Sequence, residues 1–437
     1  MKIGLVVHFF DFRNDVRILL SELIGLGHQV VVFHQAEDRE AIQLHAPAGV
    51  EFREMREKSK SANNRIWEQL FFWVGKLPKS RRNFQLMELF KISLQPSMAV
   101  QKSAKAKLLR RMALPELVSY DAYLNGIDFA GKTEIEDIDR FVFFTDIYDG
   151  AFLARVMQSG KPLNIYVYSW DHPCKHTRYT KRANYLVWSE GMATDLVELQ
   201  GIARNRIRVL GANQFGYIER YQAQQGLPYP RPFGGRYVYF GCAIGIPGLV
   251  ERELEVVRLL AKALAKSCPD WSLVVRPYPV LKEWHHYEKL REIGNIVLDD
   301  SFRSKDRSIG DAQILDKFRA IESAEAFFHL GTTLGLEAAH TPTPSFLIDL
   351  EYFAKEKNVN DLTIYHFVHQ YQNDTYLNNV AGANVVRKEA DLEGLFLELR
   401  NGPAQFAEGN RAITKAFVVK SFGQVARDFV AAIEANG

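Results

Sequence analysis

The stretch from Phe327 to Leu350 combines residue types and spacings that can bind a diphosphate. Its pattern predicts an apolar strand that ends at Leu330, a Gly-Thr-Thr turn, and one or two helical turns. Backbone N–H groups and the hydroxyls of Thr332 and Thr333 then meet at a helix N-terminus, where an anion is stabilised. Glu337 lies about one helical turn further on, within reach of a ribose attached to that anion. We therefore predict a nucleotide site on this helix.

Two further segments of the second half place suitable residues where predicted strands end. The strand YVYFG leads into the loop 242–248, whose glycines, Gly245 among them, let the backbone approach a ligand closely. Their spacing is not GxGxxG, so it predicts no dinucleotide fingerprint. The strand WSLVVRP carries Arg276, whose planar guanidinium can bind phosphate or base, and two prolines stiffen the turn around Tyr278. Ligands of open α/β sheets bind at the carboxyl ends of the strands, which favours these residues as parts of the same site.

In the first half, polar side chains that follow apolar strands are candidate general bases. His8 and Asp11 follow the first strand, and Asp171 follows the strand NIYVYSW. We favour His8 and Asp171, because each comes directly after a buried apolar strand. Other polar residues at strand ends are alternatives: Asp146, Asp149, His172, Ser189 and Glu190. The spacing of residues 172–176 matches no zinc site and no GxSxG motif is present, so we predict neither a metal ion nor a serine nucleophile.

The elements that position these residues alternate between strand and helix in both halves. The first half starts with a strand, a helix that Asn14 or Asp15 can cap, and a second strand, QVVVFH. This order predicts a right-handed βαβ unit. Residues 222–236 are rich in Gln, Gly and Pro and predict a linker, after which the alternation restarts. The predicted fold class is therefore α/β, with two tandem Rossmann-like domains that face each other across a cleft.

This alternation predicts three parts of the chain. Residues 1–222 form an N-terminal Rossmann-like domain, with a basic, aromatic helical insertion at 56–115. Residues 223–409 form a C-terminal Rossmann-like domain that binds the nucleotide. Residues 410–437 form a last helix that packs back on the N-terminal domain. A chain of 437 residues is too long for one ordinary core, which agrees with two domains.

The composition restricts the class of protein further. A hydrophobic content of 47% and a charged content of 24% are typical of soluble globular proteins. The three cysteines, Cys174, Cys242 and Cys268, form no CxxC pattern and fit a reducing cytosol better than a disulfide framework. The N-terminal apolar run has no cleavage site after it, and no apolar run approaches the ~20 residues that span a bilayer. We expect a cytoplasmic protein.

The segment from Arg56 to Met112 is strongly basic, with 14 lysines and arginines against three acidic residues. Aromatic residues such as Trp67, Phe72 and Trp73 are interleaved with the bases. This composition favours contact with anionic lipid head groups or an acidic acceptor, on the inner face of the cytoplasmic membrane. Helices that pack on the N-terminal domain with a solvated basic face are the alternative. No RNA-binding or helix-turn-helix pattern supports a nucleic acid partner.

The architecture and several short motifs resemble the GT-B class of glycosyltransferases. The stretch SWDHPCKHTRYTKRANYLVWSEGMATDLVELQGIARNRIRVLGANQF resembles a pattern in bacterial members that build capsule and the O-antigen of lipopolysaccharide. RPYP, residues 276–279, resembles the basic-His-Pro motif that contacts the nucleotide in sialyl- and Kdo-type transferases, with Tyr278 in place of the histidine. GTT, residues 331–333, resembles the paired-hydroxyl motif that holds the donor phosphate there.

The resemblance implies transfer of a sugar from a nucleotide-sugar donor to a glycan or lipid-linked acceptor. The commonest retaining GT-B enzymes carry two glutamates eight residues apart. Here His329 and Glu337 stand at the matching positions, which favours an inverting mechanism. A base of the first domain, His8, Asp171 or Asp11, would deprotonate the acceptor hydroxyl.

On the donor side, the helix dipole and the N–H groups of the turn would stabilise the departing diphosphate or phosphate, so we expect that no metal ion or other cofactor is required. The residues expected to hold the nucleotide are Gly245, Arg276, Tyr278, Thr332, Thr333 and Glu337. Three other functions fit the same architecture: a nucleotide-sugar epimerase, a polyol-phosphate transferase of the teichoic-acid type, and a catalytically silent subunit that binds nucleotide or glycan.

Overall fold

The computed structural model describes residues 1–8, 13–59, 120–144, 150–175, 179–225, 231–245, 248–278, 284–301, 310–356, 363–366, 368, 380 and 382–435. The chain divides into two compact units. The N-terminal unit comprises Met1–Gly216 and Lys420–Gly437, and the C-terminal unit comprises Tyr217–Val419. For comparison, the sequence predicts boundaries at residues 222 and 409.

The N-terminal unit is built on a parallel sheet of seven strands in the order β3-β2-β1-β6-β7-β8-β9, with a separate antiparallel pair, β4-β5. The strands are β1 (Lys2–Val6), β2 (Gln29–His34), β3 (Val50–Glu54), β4 (Lys58–Ser59), β5 (Phe129–Ala130), β6 (Arg140–Phe143), β7 (Leu163–Tyr166), β8 (Asn184–Val187) and β9 (Ile207–Val209). The helices of this part of the chain are α1 (Asn14–Gly25), α2 (Arg39–His45), α3 (Tyr120–Gly126), α4 (Gly150–Gln158), α5 (His172–Lys175) and α6 (Glu190–Gln200). The central strands are continuous apolar runs because helices cover both faces of the sheet.

The start of α1 differs from the prediction. Neither Asn14 nor Asp15 caps the helix, since Arg13 occupies the N-cap position and its side chain makes no capping hydrogen bond. Asp15 is buried instead, and both its carbonyl and its carboxylate accept hydrogen bonds from the Asn213 amide, at 2.7 and 3.2 Å. This bond ties the first helix to the segment after β9. The Asp15 side chain therefore makes a tertiary hydrogen bond to Asn213 and does not cap its own helix.

The C-terminal unit repeats the architecture with six parallel strands in the order β12-β11-β10-β13-β14-β15. The strands are β10 (Arg236–Gly241), β11 (Trp271–Arg276), β12 (Ile296–Leu298), β13 (Phe327–His329), β14 (Ser345–Ile348) and β15 (Val385–Val386). The helices are α7 (Gly216–Gln222), which spans the boundary, α8 (Val250–Ser267), α9 (His285–Glu288), α10 (Asp311–Glu322), α11 (Thr333–Ala338), α12 (Asp391–Asn401) and α13 (Ala407–Thr414). The core beside β13 contains Tyr239, Ile321 and Phe327, all fully buried.

The strand order reverses once in each sheet. In the N-terminal sheet the reversal lies between β1 and β6, and in the C-terminal sheet it lies between β10 and β13. At such a reversal the connections leave towards opposite faces, and a crevice opens at the carboxyl ends of the two strands. The two α/β units with helix-covered parallel sheets confirm the predicted Rossmann-like fold class.

The predicted last helix, residues 410–437, is wrong as a single element. The structure has α13, a break at 415–421, and a separate helix α14 (Phe422–Glu434). Ser421 caps α14, because its hydroxyl accepts a hydrogen bond from the Gln424 N–H at 3.2 Å. Helix α14 packs on α1 in the N-terminal unit, and the Phe429 ring lies 6.2 Å from the ring of Phe144.

Most of the basic insertion predicted at 56–115 lies outside the described residues, which resume at Tyr120. The anionic surface contact predicted for residues 56–112 therefore stays a prediction. Within the part of the chain that the structure describes, no helix is both long and apolar enough to cross a membrane.

Candidate functional site

At the carboxyl edge of the C-terminal sheet, the structure brings three predicted segments together. Strand β10 leads into the loop of Gly245, and β11 beside it ends on Arg276. Strand β13, on the other side of β10, ends on His329 and leads to Thr332. The Cys242 N–H donates to the Arg276 carbonyl at 3.0 Å, which ties the first two ends to each other. The segments flank the strand-order reversal, where open α/β sheets bind ligands.

Thr332 is the N-cap residue of α11, the short helix that carries Glu337. Its backbone is extended, with φ of −147° and ψ of 152°, and its hydroxyl accepts a hydrogen bond from the Leu334 N–H at 3.4 Å. A threonine in this position satisfies one of the N–H groups that a helix start leaves without a partner. Thr333 is the first helical residue. Both threonines therefore stand at a strand-to-helix turn, as the pattern predicts.

His329, the last residue of β13, is buried in its neutral form. Its Nδ1 accepts a hydrogen bond from the Gly331 N–H at 3.0 Å, so the proton of the neutral ring is on Nε2. Burial lowers the pKa of His329 to about 3. The ring lies against α11, where a Cβ at Gly335 would stand 2.5 Å from Cε1. The histidine thus packs between β13 and α11 and positions the start of the helix.

Glu337, the predicted ribose ligand, takes part in a buried ion pair. Lys317 of α10 donates from Nζ to Oε2 of Glu337 at 2.6 Å, and each residue is only 8% exposed. A carboxylate buried this far needs a cation beside it. Among the described residues, none donates a hydrogen bond to Oε1. Lys317 therefore orients the carboxylate through one oxygen, and the role of Glu337 towards a ribose stays a prediction.

Gly245 and Tyr278, both predicted donor-site residues, lie in direct contact. A Cβ at Gly245 would stand 2.4 Å from Cε1 and 2.8 Å from Cδ1 of the Tyr278 ring. The Tyr278 N–H donates in turn to the Tyr287 hydroxyl at 3.4 Å. Because position 245 has no side chain, the ring can lie over the loop backbone. Loop and ring form one surface at the ends of β10 and β11.

This contact gives a first prediction. Gly245→Ala is expected to lower the free energy of unfolding by about 1–3 kcal/mol, because the added methyl group overlaps the Tyr278 ring. Tyr278→Ala removes the obstacle, so Gly245→Ala should cost little in that background. Urea denaturation of the double-mutant cycle measures the coupling. Gly394→Ala, in open space on α12, is the control and should not destabilise; equal costs of Gly245→Ala in both backgrounds would refute the contact.

Arg276 lies in a buried polar cluster at the end of β11. It is 7% exposed, and its guanidinium lies 3.9 Å from Oδ2 of Asp299. Asp299 also accepts hydrogen bonds from the Tyr239 hydroxyl and, at 3.1 Å, from the Ser301 N–H. Burial raises the pKa of Tyr239 well above its ordinary value, so the phenol stays neutral. The cluster fixes the position of Arg276, and its role towards phosphate or base stays a prediction.

Glu253 of α8 holds the loop after β10. Its side chain is fully buried, and its two oxygens accept hydrogen bonds from the N–H groups of Ala243 at 2.7 Å and Ile244 at 3.3 Å. Burial raises the pKa of Glu253 to about 7, although the two N–H groups favour the charged form. Burial also raises the pKa of the adjacent Cys242 thiol. The loop that carries Gly245 is therefore fastened to α8 by a carboxyl group that titrates near neutral pH.

Glu253 gives a second prediction, on the pH dependence of stability. Its pKa in the folded protein, about 7, is above the ordinary 4.5, so the folded state binds the proton more tightly. The stability it contributes is fully present below pH 4.5 and is lost as the pH rises to about 7, by an amount on the order of 3 kcal/mol. Urea denaturation across this range should show that loss in the wild type and a flatter profile in Glu253→Gln. Glu255→Gln, a half-exposed control two residues on, should keep the wild-type slope, and an unchanged slope in Glu253→Gln would refute the assignment.

In the N-terminal unit, His8 follows β1, beside the strand-order reversal of that sheet. Its side chain is 41% exposed, and its Nε2 lies 3.7 Å from Oδ2 of Asp38. Asp38 is buried in a 3-10 turn (Ala36–Asp38) that follows β2. A carboxylate beside an imidazole stabilises the imidazolium that forms when the ring takes a proton. An accessible histidine beside a buried carboxylate suits a general base.

Asp171, the other favoured base, is less accessible than His8. Asp171 is buried after β7, and its Oδ1 accepts a hydrogen bond from the Ser169 hydroxyl at 2.5 Å. Asp11 lies outside the described residues, as do Asp146 and Asp149. Of His8 and Asp171, His8 is therefore the better placed base. In the same part of the chain, no group of three or more His, Cys, Asp or Glu side chains could hold a metal ion.

Three residues that hold these sites were not predicted from the sequence: Lys317, Glu253 and Asp38. Lys317 and Glu253 are charged residues among the apolar positions that α10 and α8 bury, and such a misplaced charge is a signal in itself. Asp38 follows the second strand as His8 follows the first. The rule that polar residues gather at strand ends would have found it, if applied to β2.

Comparison with known proteins shows the fold. No family model and no curated protein sequence matches the chain. A glycotransferase of kitacinnamycin is 15% identical with a TM-score of 0.50, and the match covers 100% of this chain and 98% of that one. A putative UDP-N-acetylglucosamine 2-epimerase from Listeria monocytogenes is 13% identical with a TM-score of 0.51, over 99% of this chain and 96% of that one.

A third solved structure, the wall teichoic acid polymerase TagF, is 8% identical with a TM-score of 0.51, over 99% of this chain and 88% of that chain. Identities this low establish a shared fold and no more. The chain thus has the GT-B fold, in which two Rossmann-like domains follow each other along the chain, as the sequence predicts.

Proposed function

We propose that this chain is a glycosyltransferase that moves a sugar from a nucleotide-sugar donor to a glycan or lipid-linked acceptor in cell-surface polysaccharide synthesis. The observation that supports this most is the carboxyl edge of the C-terminal sheet. There the loop of Gly245, the ring of Tyr278 and the N-cap Thr332 surround the strand-order reversal. A nucleotide is the ligand that such a crevice suits best.

The C-terminal unit is proposed to hold the donor. The hydroxyls of Thr332 and Thr333, with the N–H groups of the turn, would bind the diphosphate and stabilise its charge as it departs. Oε1 of Glu337 would accept a hydrogen bond from a ribose hydroxyl, while Lys317 holds Oε2. Arg276 would bind phosphate or base. Because the turn supplies hydrogen-bond donors, the proposal requires no metal ion.

The N-terminal unit is proposed to supply the base. His8 would take the proton of the acceptor hydroxyl as the oxygen attacks the anomeric carbon of the sugar, and the nucleotide diphosphate would leave from the opposite face. Asp38, 3.7 Å from Nε2, would stabilise the imidazolium that results. A single displacement of this kind inverts the anomeric configuration. His329 cannot act as the nucleophile of a retaining mechanism, because it is buried and lies against Gly335.

A polyol-phosphate transferase is the second candidate function. The shared fold with the teichoic acid polymerase supports it, and the base and the anion site would serve its chemistry equally well. The Listeria protein is named as an epimerase. An epimerase would act on the nucleotide-sugar alone and release no free nucleotide. The products therefore separate the candidates.

The first experiment is a thermal-shift panel of UDP-, GDP-, dTDP- and CMP-sugars with CDP-glycerol. At least one is expected to raise the melting temperature, and Thr332→Val with Thr333→Val should abolish the shift. Thr414→Val, at the end of α13 in the same unit, is the matched control and should leave it unchanged. No response to any nucleotide would refute the function, and a shift that survives the double variant would refute the site.

The segment 56–112 is proposed to hold the enzyme at the inner face of the cytoplasmic membrane. Liposome flotation tests this, with vesicles of phosphatidylcholine alone or mixed with phosphatidylglycerol. Binding is expected only to the anionic vesicles and should fall as salt is added, because salt screens the attraction. Binding that salt does not affect would count against the proposal.

A further inference from the structure

A polar cavity of about 270 Å³ opens at the carboxyl ends of β2 and β3 in the N-terminal unit. His34 ends β2 and Glu54 ends β3, and the two are register partners in the sheet. Arg39 and Gln43, one helical turn apart on α2, line a second side. Residues 133–134, which follow β5, line a third. None of these groups belongs to the donor site described above.

Buried contacts hold the third side in place. The Thr133 N–H donates to Oε1 of Glu57 at 2.8 Å and its hydroxyl donates to Oε2 at 2.5 Å, and both residues are buried. The Thr133 hydroxyl also accepts a hydrogen bond from the Arg56 N–H at 2.9 Å. Arg53, on the floor of the cavity, is held by both oxygens of Asp137 at 2.6 and 2.7 Å. The cavity is therefore a built feature of the fold.

Two guanidinium groups at this cavity have no partner among the described residues. Arg39 and Arg56 are both exposed, and neither side chain makes a hydrogen bond or ion pair to another residue that the structure describes. Arg53 differs, because Asp137 and Glu51 neutralise its charge. Two arginine forks at one cavity suit an anion with several oxygens, such as a carboxylate or a phosphate.

The remaining groups suit the hydroxyls and the ring of a sugar. His34 donates from Nδ1 to the Gln35 carbonyl at 2.7 Å, so Nε2 is the ring nitrogen that can meet a ligand hydroxyl. The carboxylates of Glu54 and Glu134 can accept hydrogen bonds from the hydroxyl groups of a ligand, and Phe52 adds an apolar ring. About 270 Å³ is less than the ~300–1,000 Å³ of sites for drug-sized ligands, which suits a single sugar unit.

We propose that this cavity binds an anionic sugar unit of the acceptor, a pyranose that carries a carboxylate or a phosphate group. The assignment to the acceptor rests on the proposed function. The closeness of the cavity to the proposed base supports it. Arg39, which lines the cavity, directly follows Asp38, whose carboxylate lies 3.7 Å from Nε2 of His8. The arginines bind the charged substituent, and the carboxylates bind the hydroxyls of the same ring.

Saturation-transfer NMR with the full chain tests the binding of glucuronic acid, glucose 6-phosphate and neutral glucose. At least one anionic sugar should bind more tightly than glucose, and added salt should weaken its binding. Arg39→Gln and Arg56→Gln should each raise its Kd about tenfold, as expected for the loss of one charge-assisted hydrogen bond. The affinity for glucose should change little. The tighter of the two anions identifies the acidic substituent.

Arg208→Gln is the matched control, since Arg208 is an exposed arginine on β9, at the opposite edge of the same sheet. It should bind all three sugars as the wild type does. Melting temperatures confirm that the variants fold, which the exposure of Arg39 and Arg56 makes the expected result. Glucose that binds as tightly as both anions would overturn the proposal. Unchanged binding in the Arg39→Gln and Arg56→Gln double variant would overturn it equally.

The same samples separate this proposal from the proposed function. Nucleotide binding is measured on them by thermal shift, and the arginine variants should leave it unchanged. Anionic-sugar binding with no response to any nucleotide would leave the cavity as assigned and refute the transferase. Nucleotide binding without anionic-sugar binding would refute the cavity alone.

Discussion

Lys317→Met is expected to lower the free energy of unfolding of the C-terminal unit by about 3 kcal/mol. Methionine keeps most of the apolar stem but removes the ammonium group that lies 2.6 Å from Glu337. The carboxylate would then remain 8% exposed with its charge uncompensated. Breaking a buried pair from one side costs far more than the pair contributes, because desolvation of the remaining charge is no longer offset. Urea denaturation monitored by circular dichroism measures the effect.

Two controls make this expectation specific to burial. Lys266→Met breaks a pair of similar length in the same unit, Lys266 with Glu393 at 2.7 Å, in which both side chains are about half exposed. It should cost no more than about 1 kcal/mol. Lys317→Met combined with Glu337→Gln removes both charges and should recover most of the lost stability. Equal costs for the two single lysine variants would show that burial of the Lys317 pair does not govern its energetics.

The same pair has a readout in donor binding. If Glu337 is the ribose ligand, Glu337→Gln should weaken binding of the responding nucleotide-sugar even under conditions where the variant is fully folded. The free base of that nucleotide, such as uracil or guanine, has no ribose. Its affinity should therefore be the same for Glu337→Gln and the wild type, and it serves as the reference. Loss of stability without loss of nucleotide affinity would make Glu337 a structural residue only.

His8→Ala is expected to lower kcat of the proposed transfer reaction about 100-fold or more, because it removes the proposed general base. Stability should stay close to that of the wild type, since the side chain is 41% exposed. Donor affinity should also be unchanged, because the proposed donor site lies in the C-terminal unit. Release of nucleotide from the donor that responds in the thermal-shift panel gives the rate, with saturating acceptor.

His45→Gln is the matched control for this variant, because His45 is a partly exposed histidine of the same unit at the end of α2. It should leave kcat unchanged. Asp38→Asn should have an intermediate effect, because the proposed role of this carboxylate is to stabilise the protonated His8. Wild-type activity in His8→Ala together with inactivity in Asp171→Asn would transfer the role of base to Asp171.

Much of the fold could be predicted, because its strongest elements carry their own pattern. Strands β1 and β10 are continuous apolar runs, and α8 is a long amphipathic helix. Each element can therefore be predicted from its own local sequence pattern. The alternation of such elements is enough to indicate two Rossmann-like halves. The position of Thr332 at the start of a helix also follows from local pattern, since capping is a short-range interaction.

The partners of the site residues could not be predicted in the same way. Lys317 meets Glu337 only because α10 packs beside α11, and Asn213 meets Asp15 across 198 residues of chain. Such contacts depend on tertiary packing, which overrides the local preference of a side chain for its own backbone. The break before α14 has a different, local origin. Its apolar positions continue the helical pattern of α13, and only the capping bond of Ser421 shows where the new helix begins.

The packing of α14 on α1 has a consequence for the order in which the protein can fold on the ribosome. Residues 1–216 are synthesised first, but the part of α1 that α14 covers stays open until about residue 434 has been made. The unit formed by Tyr217–Val419 is complete before that point. Chains released at residue 419 should therefore hold a folded second unit and an unfinished first one. Chaperones that bind exposed apolar surface should be recruited to the end of the chain that was made first.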